Sequence, residues 1–510
     1  MEESFFAPIA RTIGRFADKT VLEDVDRGTA LSYADLDRTS ARFARLTAEL
    51  GLARGDRVAV QVSKSPEALA LYLACLRAGL VFLPMNPAYR TGEVAYMLRD
   101  AEPALFVCDP ARVGELSAIA AGARIRHLLT LDGEGGGSLV ERARDLPAEF
   151  PPVAVAAEDY AAMLYTSGTT GRPKGAPLTH GNLASNARVL VESWGFTAED
   201  VLLHALPIYH AHGLFVACHC VLLSGASMLW LAKFDRRRVI ELLPRATVMM
   251  GVPTFYVRLL EDPEFGPETC CNVRLFVSGS APLSPEAWKA FRERTGHEIL
   301  ERYGMSEILM HTSNPLVGER RPGSVGLPFP GSEVRIVDDA DRPLGPGEVG
   351  HVQVRGPNVF RGYWRMPERN REEFTADGWF RTGDMGRLEA DGYLTLVGRA
   401  KDLIITGGLN VYPKEVEDVL DALPGVAESA VVGLPHPDFG EAVTAVVVPE
   451  PGAALEEDAV IAAVREVLAG FKVPKRVLFV EALPRNSMGK VQKRDLRERF
   501  ADLYRRREPA

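Results

Sequence analysis

A chain of 510 residues with 46% apolar and 25% charged residues can bury large cores in two to four structural units. Its net charge of −9 excludes a basic nucleic-acid surface, and six cysteines over this length exclude a disulfide framework and suit a reducing compartment. The acidic start, with Glu2 and Glu3 and no apolar core, is unlike a secretory leader, so a cytoplasmic location is expected.

Ser32 is placed as the N-cap of a helix running to Leu50, with Leu36, Phe43, Leu46 and Leu50 on one stripe and Gly51 as its stop. Val58 to Val62 alternates as a strand, Pro66 opens a helix that ends at Gly79, and Leu80 to Leu83 forms the next strand. That is a βαβ unit, which implies a parallel sheet with helices on its faces.

Tyr165 to Gly175 reads Tyr-Thr-Ser-Gly-Thr-Thr-Gly-Arg-Pro-Lys-Gly, between strand-like Ala161 to Leu164 and a helical start at Thr179 to Asn182. Gly168, Gly171 and Gly175 let a backbone approach an anion closely. Thr166, Ser167, Thr169 and Thr170 add hydroxyls, and Lys174 adds a point charge suited to phosphate. The stretch reads as a loop that grips polyphosphate. It is not the common P-loop, which places Gly-Lys-Ser/Thr at the start of a helix. The alternative is a flexible linker.

From Val201 to Ala232 the chain carries no Asp, Glu, Lys or Arg. Pro207, the histidines before Gly213 and the Ser224-Gly225 break point to core: a buried helix over Leu214 to Leu223, then a strand over Met228 to Leu231. His210, His212, Cys218, His219 and Cys220 lack zinc-ligand spacing, so Cys218 and Cys220 are expected to pack in the helix core.

The strand–helix rhythm returns with strands at Val248 to Met250, Arg274 to Val277 and Glu298 to Leu300, and helices after Pro253 and from Pro285 to Thr295. Loops rich in Gly and hydroxyls follow these strands at 251–253, 278–282 and 301–307. In open α/β sheets ligands bind beyond the carboxyl ends of strands, so the three loops predict one cleft. Short strands with Gly and Pro between them run from about Gly323 to Val397, a β-rich subdomain. The α/β class therefore comprises a large domain over 1–398, a polar break at 399–403, and a small α+β domain over 404–510. The small domain is expected to hold helices at Pro413 to Ala422 and Glu457 to Ala469. Its expected strands are Ser429 to Gly433, Val443 to Val448 and Arg476 to Val480. Arg505, Arg506 and Arg507 read as a solvated tail.

Five motifs stand in order: Tyr165 to Gly175, Tyr303-Gly304-Met305-Ser306-Glu307, Thr382-Gly383-Asp384, Gly398 to Asp402, and Asn486-Ser487-Met488-Gly489-Lys490. Over nearly its whole length the chain resembles the adenylate-forming superfamily of acyl-CoA synthetases, firefly luciferase and peptide-synthetase adenylation domains. The stretches 206–210, 251–256, 278–281, 312–315 and 407–415 are most similar to malonyl-CoA synthetases. Two positions depart from that group: His311 stands where Asn is common, and Ala211 where Thr is common. These leave a substituted malonate open.

The resemblance implies an ATP-dependent acid:CoA ligase that uses ATP, Mg²⁺ and CoA, with a small dicarboxylic acid as the further substrate. Malonate is expected to become malonyl-CoA; the alternatives are methylmalonate or another small acid, or a module that loads a carrier protein. No carrier domain follows Ala510, which favours the free ligase.

The resemblance also implies residue roles. The loop residues Thr166, Ser167, Gly168, Thr169, Thr170, Gly171 and Lys174 would hold ATP phosphates. Ser280, Ala281 and Pro282, with Tyr303, Gly304 and Met305, would wall the adenine side, and Asp384 and Arg399 would hold the ribose. Glu307 would bind the metal beside Ser306, and Lys490 would meet the acid carboxylate and ATP during adenylation. Lys401 would be the hinge, and Gly407 with Gly408 would line a pantetheine tunnel. His210 and Ser280 would flank the acid, whose distal carboxylate Arg258 would bind. A dicarboxylate pocket has to supply such a cation, since an unpaired buried carboxylate costs several kcal/mol. Arg258 as an ordinary surface charge is the alternative.

Overall fold

The computed structural model describes residues 4–166, 173–407, 409–437, 439–486 and 489–504. The basic tail at Arg505 to Arg507 lies outside the described residues. Two largely parallel sheets form the bulk of the protein, and a meander and a small five-stranded sheet complete it.

The six-stranded sheet runs His127–Thr130, Leu105–Cys108, Arg57–Gln61, Val81–Pro84, Tyr160–Thr166, Lys174–Thr179. All its pairings are parallel except the last. The expected βαβ unit is its centre. Ser65 accepts from the Ala68 N–H to cap helix Pro66–Ala78, and Gly79 closes that helix in the left-handed conformation at φ 68°. Ser32 caps helix Tyr33–Glu49 with a full capping box to Asp35.

One strand departs from the sequence expectation. Lys174–Thr179 is extended and pairs antiparallel with Tyr160–Thr166, so the hydroxyl-rich stretch joins a hairpin rather than a strand to a helix. Pro177 hides this strand in the sequence. A proline is tolerated there because the strand is the sheet's edge.

The nine-stranded sheet has six parallel strands at its centre: Leu300–Met305, Leu275–Ser278, Val248–Gly251, Val201–His204, Ser227–Trp230 and Thr20–Asp24. Antiparallel strands flank them on both sides. A second correction concerns Leu300–Met305, which extends five residues past the expected end at Leu300. Tyr303 to Met305 are strand, not loop, and turn back through Ser306 and Glu307 into Leu309–Ser313. A Cβ on Gly304 would sit 1.9 Å from the Leu309 carbonyl oxygen, so only glycine lets this hairpin close. The expected helix over 214–223 is a π-helical turn, His212–Cys218, followed by helix His219–Ser224. Such turns recur at functional sites.

Strands Glu333–Val337, Gly350–Arg355, Phe380–Leu388 and Leu394–Arg399 form an antiparallel meander. The expected β-rich start near Gly323 is earlier than this sheet, because Leu327–Pro328 pairs with the nine-stranded one. After a single 3₁₀ turn at Ala400–Asp402, the last sheet packs its own core, including Val416, Leu420, Val431, Val443 and Val464. No helix among the described residues is long and apolar enough to cross a membrane.

Gly326 is where the meander meets the nine-stranded sheet: its carbonyl accepts from Leu394 N–H, and an added Cβ would lie 2.0 Å from the Ser313 carbonyl carbon. Gly331 has nearly the same left-handed φ, 81° against 82°, but open space around it. Gly326→Ala is therefore expected to cost about 2–5 kcal/mol and Gly331→Ala about 1 kcal/mol, because only the first adds overpacking to the left-handed penalty. Urea unfolding of both variants measures the difference; equal midpoint shifts would remove the packing argument.

Candidate active site

The carboxyl ends of the parallel strands in both large sheets bring the motif residues together. Thr166 ends its strand and donates from Oγ1 to Glu307 Oε1 at 3.3 Å. Tyr363 donates to the same oxygen at 2.8 Å. Glu307 is 3% exposed, and among the described residues it makes no ion pair. A dry carboxylate held only by hydroxyls fits a hard divalent cation with oxygen ligands, as Mg²⁺ is.

Lys174 opens the edge strand beside this carboxylate, with Nζ 3.9 Å from the centre of the Tyr363 ring and 3.8 Å from Glu373 Oε1. Burial lowers its ammonium below the ordinary lysine range, against the pull of Glu373 and Glu307. Ser306 is half-buried in the turn just before Glu307. Ser167, Gly168, Thr169, Thr170 and Gly171 lie outside the described residues.

Asp384 and Arg399 face each other across adjacent strands of the meander, Nε to Oδ1 at 2.7 Å. Tyr303 donates to the other oxygen, Oδ2, at 2.5 Å. The pair thus ties the meander to the hairpin carrying Glu307. Asp384 holds the Arg399 guanidinium above its usual range. Ala281, Gly304 and Met305 are half-buried, and Pro282 is exposed.

Lys490 comes to the same place from the small sheet's side. It leaves a turn in which Asn486 Oδ1 accepts from Lys490 N–H at 3.0 Å, and Gly489 of that turn abuts Thr254, an added Cβ lying 3.1 Å from Thr254 Oγ1. Its side chain is open to the cleft on one side. Crowding by protein on the others pushes its ammonium down to about 8; Arg399 and Lys401 add to the shift, and Asp384 and Asp402 oppose it. Lys401 is exposed in the 3₁₀ turn. Gly407 is left-handed at φ 57° and donates to the Phe439 carbonyl at 2.9 Å. Gly408 lies outside the described residues.

A second cluster lies behind Ser280, which has a left-handed backbone at φ 73°, a strained conformation for a serine. Ser280 Oγ is 3.3 Å from His212 Nδ1. Burial pushes the His210 imidazole down to about 4 and holds His212 well below the ordinary imidazole range, so both rings are neutral at pH 7. Nε2 of each is buried without a partner among the described residues.

Arg302 lies beneath Gly279, where an added Cβ would fall 2.3 Å from its guanidinium carbon. It is 3% exposed, and its Nε and Nη2 have no partner among the described residues. Burial lowers it to about 9, which leaves it charged at neutral pH. An unpaired buried guanidinium beside unpartnered imidazoles is a receptor for an anion.

Arg258 is elsewhere. It is exposed on helix Pro253–Leu260, one turn after Thr254 on the same face, at the edge of the cleft rather than within the buried cluster. Sequence reasoning assigned no role to Arg302, His212, Tyr363 or Glu373. Arg302 stands in a stretch read as loop, where a charge draws no notice; Tyr363 and Glu373 belong to no motif.

The sequence matches the model of AMP-binding enzymes over residues 9–364 and that of the AMP-binding enzyme C-terminal domain over 415–490. It is 38% identical to a feruloyl-CoA synthase from Amycolatopsis, over 93% of this chain and 94% of that protein. It is 34% identical to a malonate–CoA ligase from Arabidopsis thaliana, over 92% of this chain and 85% of that one. The crystal structure of ATP-bound MatB from Rhodopseudomonas palustris superposes with a TM-score of 0.96 at 50% identity, covering 99% of this chain and 100% of that one. The apo form of the same protein gives 0.85 at the same coverage. The chain belongs to the AMP-binding, adenylate-forming family of acid–CoA ligases.

Proposed function

We propose that this enzyme converts malonate, ATP and CoA into malonyl-CoA, AMP and pyrophosphate, and that Arg302 is the buried cation that selects a dicarboxylate. The unpaired guanidinium carries this reading. An aromatic monocarboxylate, such as the feruloyl group named for one relative, would leave Arg302 without a partner in a dry pocket. A malonate carboxylate would satisfy it bidentately, with His212 and Ser280 alongside. Arg258 at the cleft edge supplies a second positive charge on the acid's path.

In the first half-reaction the acid's free carboxylate attacks the α-phosphate of ATP, and pyrophosphate leaves. Two anions must meet, so preorganised cations lower the barrier. Lys174 faces the phosphates, Asp384 and Arg399 hold the ribose, and Lys490 neutralises charge where carboxylate and phosphate join. Glu307 and the phosphate oxygens would hold Mg²⁺, which supplies charge neutralisation on the leaving pyrophosphate. In the second half-reaction the CoA thiol attacks the acyl carbon and AMP leaves.

Residues 1–398 act as the large domain and 404–510 as a lid that turns about 399–403, withdrawing Lys490 and bringing Gly407 and Gly408 to the site. The present arrangement, with Gly489 against Thr254 and Lys490 beside Asp384, is the adenylating one. The higher TM-score with the ATP-bound relative than with its apo form supports this. All six cysteines are free, in keeping with a cytoplasmic enzyme.

Lys490→Ala is expected to abolish formation of malonyl-adenylate while sparing thioester formation from synthetic malonyl-adenylate and CoA. Equal loss in both half-reactions would make the lysine structural. Because Lys490 is lowered to about 8 and acts as the ammonium, adenylation kcat/KM of the free enzyme should fall as pH rises through about 8.

Arg302→Met should cost malonate about 3–5 kcal/mol of transition-state stabilisation, more than a hundredfold in kcat/KM, while butyrate loses nothing. Thermal stability should hold or rise, since an unpaired buried charge is removed. Arg258→Leu, at an exposed site, should cost malonate less than Arg302→Met does. If malonate and butyrate fall by the same factor in Arg302→Met, the dicarboxylate assignment fails.

A further inference from the structure

Between the two large sheets, far along the chain from every motif, stands a buried lysine. Lys64 follows strand Arg57–Gln61 of the six-stranded sheet and precedes Ser65, the cap of helix Pro66–Ala78. Its side chain crosses to the carboxyl ends of two neighbouring strands of the nine-stranded sheet. There Nζ lies 2.8 Å from the His204 carbonyl oxygen, 2.7 Å from that of Leu231, and 2.7 Å from His204 Nδ1. The Trp230 ring centre lies 4.1 Å from the ammonium. Lys64 is 8% exposed.

An ammonium has three donors and no acceptor, so His204 Nδ1 must be the acceptor and the ring proton must sit on Nε2. Nε2 lies 2.9 Å from the Gly213 carbonyl oxygen, with Cys218 Sγ at 3.4 Å. Gly213 and Cys218 both belong to the π-helical turn His212–Cys218. A neutral amine could accept from Nδ1–H, but the Nε2 lone pair would then oppose the Gly213 carbonyl. Burial lowers the Lys64 ammonium to about 7, but the three acceptors around Nζ call for its three donors, and the Gly213 carbonyl selects the Nε2–H tautomer.

The π-helical turn has little room to adjust. A Cβ on Gly213 would lie 2.0 Å from the Pro207 carbonyl oxygen, so the glycine is seated directly against that backbone. Its neighbour His212 is the residue that meets Ser280 and sits beside Arg302.

We propose that Lys64 is a positioning residue for the acid site: by fixing the tautomer of His204 it makes Nε2–H hold the Gly213 carbonyl, and so seats the turn that presents His212. Lys64 touches no substrate and acts through His204. The proposal rests on the acid site assigned above.

Two measurements test it. In protein labelled with ¹⁵N-histidine, His204 should carry its proton on Nε2 in the wild type, read without any acid bound. This part is independent of whether malonate is the substrate. In kinetics, Lys64→Met should raise KM for malonate roughly tenfold, the weight of one buried hydrogen bond, while KM for ATP stays unchanged. His204→Leu should repeat that pattern. His204→Gln, whose amide N–H can still reach the Gly213 carbonyl, should keep KM for malonate close to the wild-type value. A wild-type proton on Nδ1 would overturn the proposal. So would equal increases in both KM values, a loss of thermal stability with KM for malonate unchanged, or a His204→Gln enzyme as impaired as His204→Leu. If Lys64→Met fails to fold, the wild-type tautomer and the two His204 variants still decide.

Discussion

Two anions have to be brought into contact in a place that excludes water, and the rest of the structure answers to that demand. Cations must wait there before any substrate arrives, and a waiting cation in a dry site has a high free energy. The protein handles this differently at each position. Arg399 is kept in check by Asp384. Lys174 leans on the Tyr363 ring and toward Glu373. Lys490 stays open to the cleft. Of these four cations Arg302 is the one left, among the described residues, both buried and partly unsatisfied, and the parallel sheets around it supply the rigidity that holds it there. Strain at Ser280 and a π-helical turn at His212 belong to the same bargain: local conformations that cost free energy, concentrated where the chemistry needs them.

Much of the architecture could be read from local signals because those signals have local causes. Ser32, Ser65 and Gly79 cap helices through bonds within a few residues, so the first βαβ unit was legible in advance. The misreadings are tertiary in origin. Lys174–Thr179 contains a proline and a glycine, and only its place at a sheet edge, with Gly175 3.2 Å from Trp364 Cβ were it an alanine, makes it a strand. Leu300–Met305 outruns its expected end because Leu309–Ser313 folds back on it, a pairing that no propensity encodes.

The site divides in the same way. Glu307, Asp384, Arg399, Lys174 and Lys490 stand in motifs, and the fold gathers those residues around one cleft. The groups behind them were illegible individually. Tyr363 becomes meaningful only when its hydroxyl reaches Glu307, and His212 only when Ser280 adopts its left-handed backbone. Arg258 illustrates the converse. A motif brought attention to it, and in the fold it stands exposed, while Arg302, which no motif singled out for the acid, is buried.

The short helix Pro253–Leu260 joins two of these themes. Its first turn receives the loop that carries Lys490, through Thr254 against Gly489, and its next turn carries Arg258. On the function proposed above, the second cation on the acid's path and the landing place of the activating lysine share this one element, less than three turns long. An acid that seats badly against this helix disturbs the surface on which the lysine lands. On that proposal selectivity is exerted on the speed with which a bound acid is activated, and a weakly discriminating pocket can still belong to a strongly discriminating enzyme.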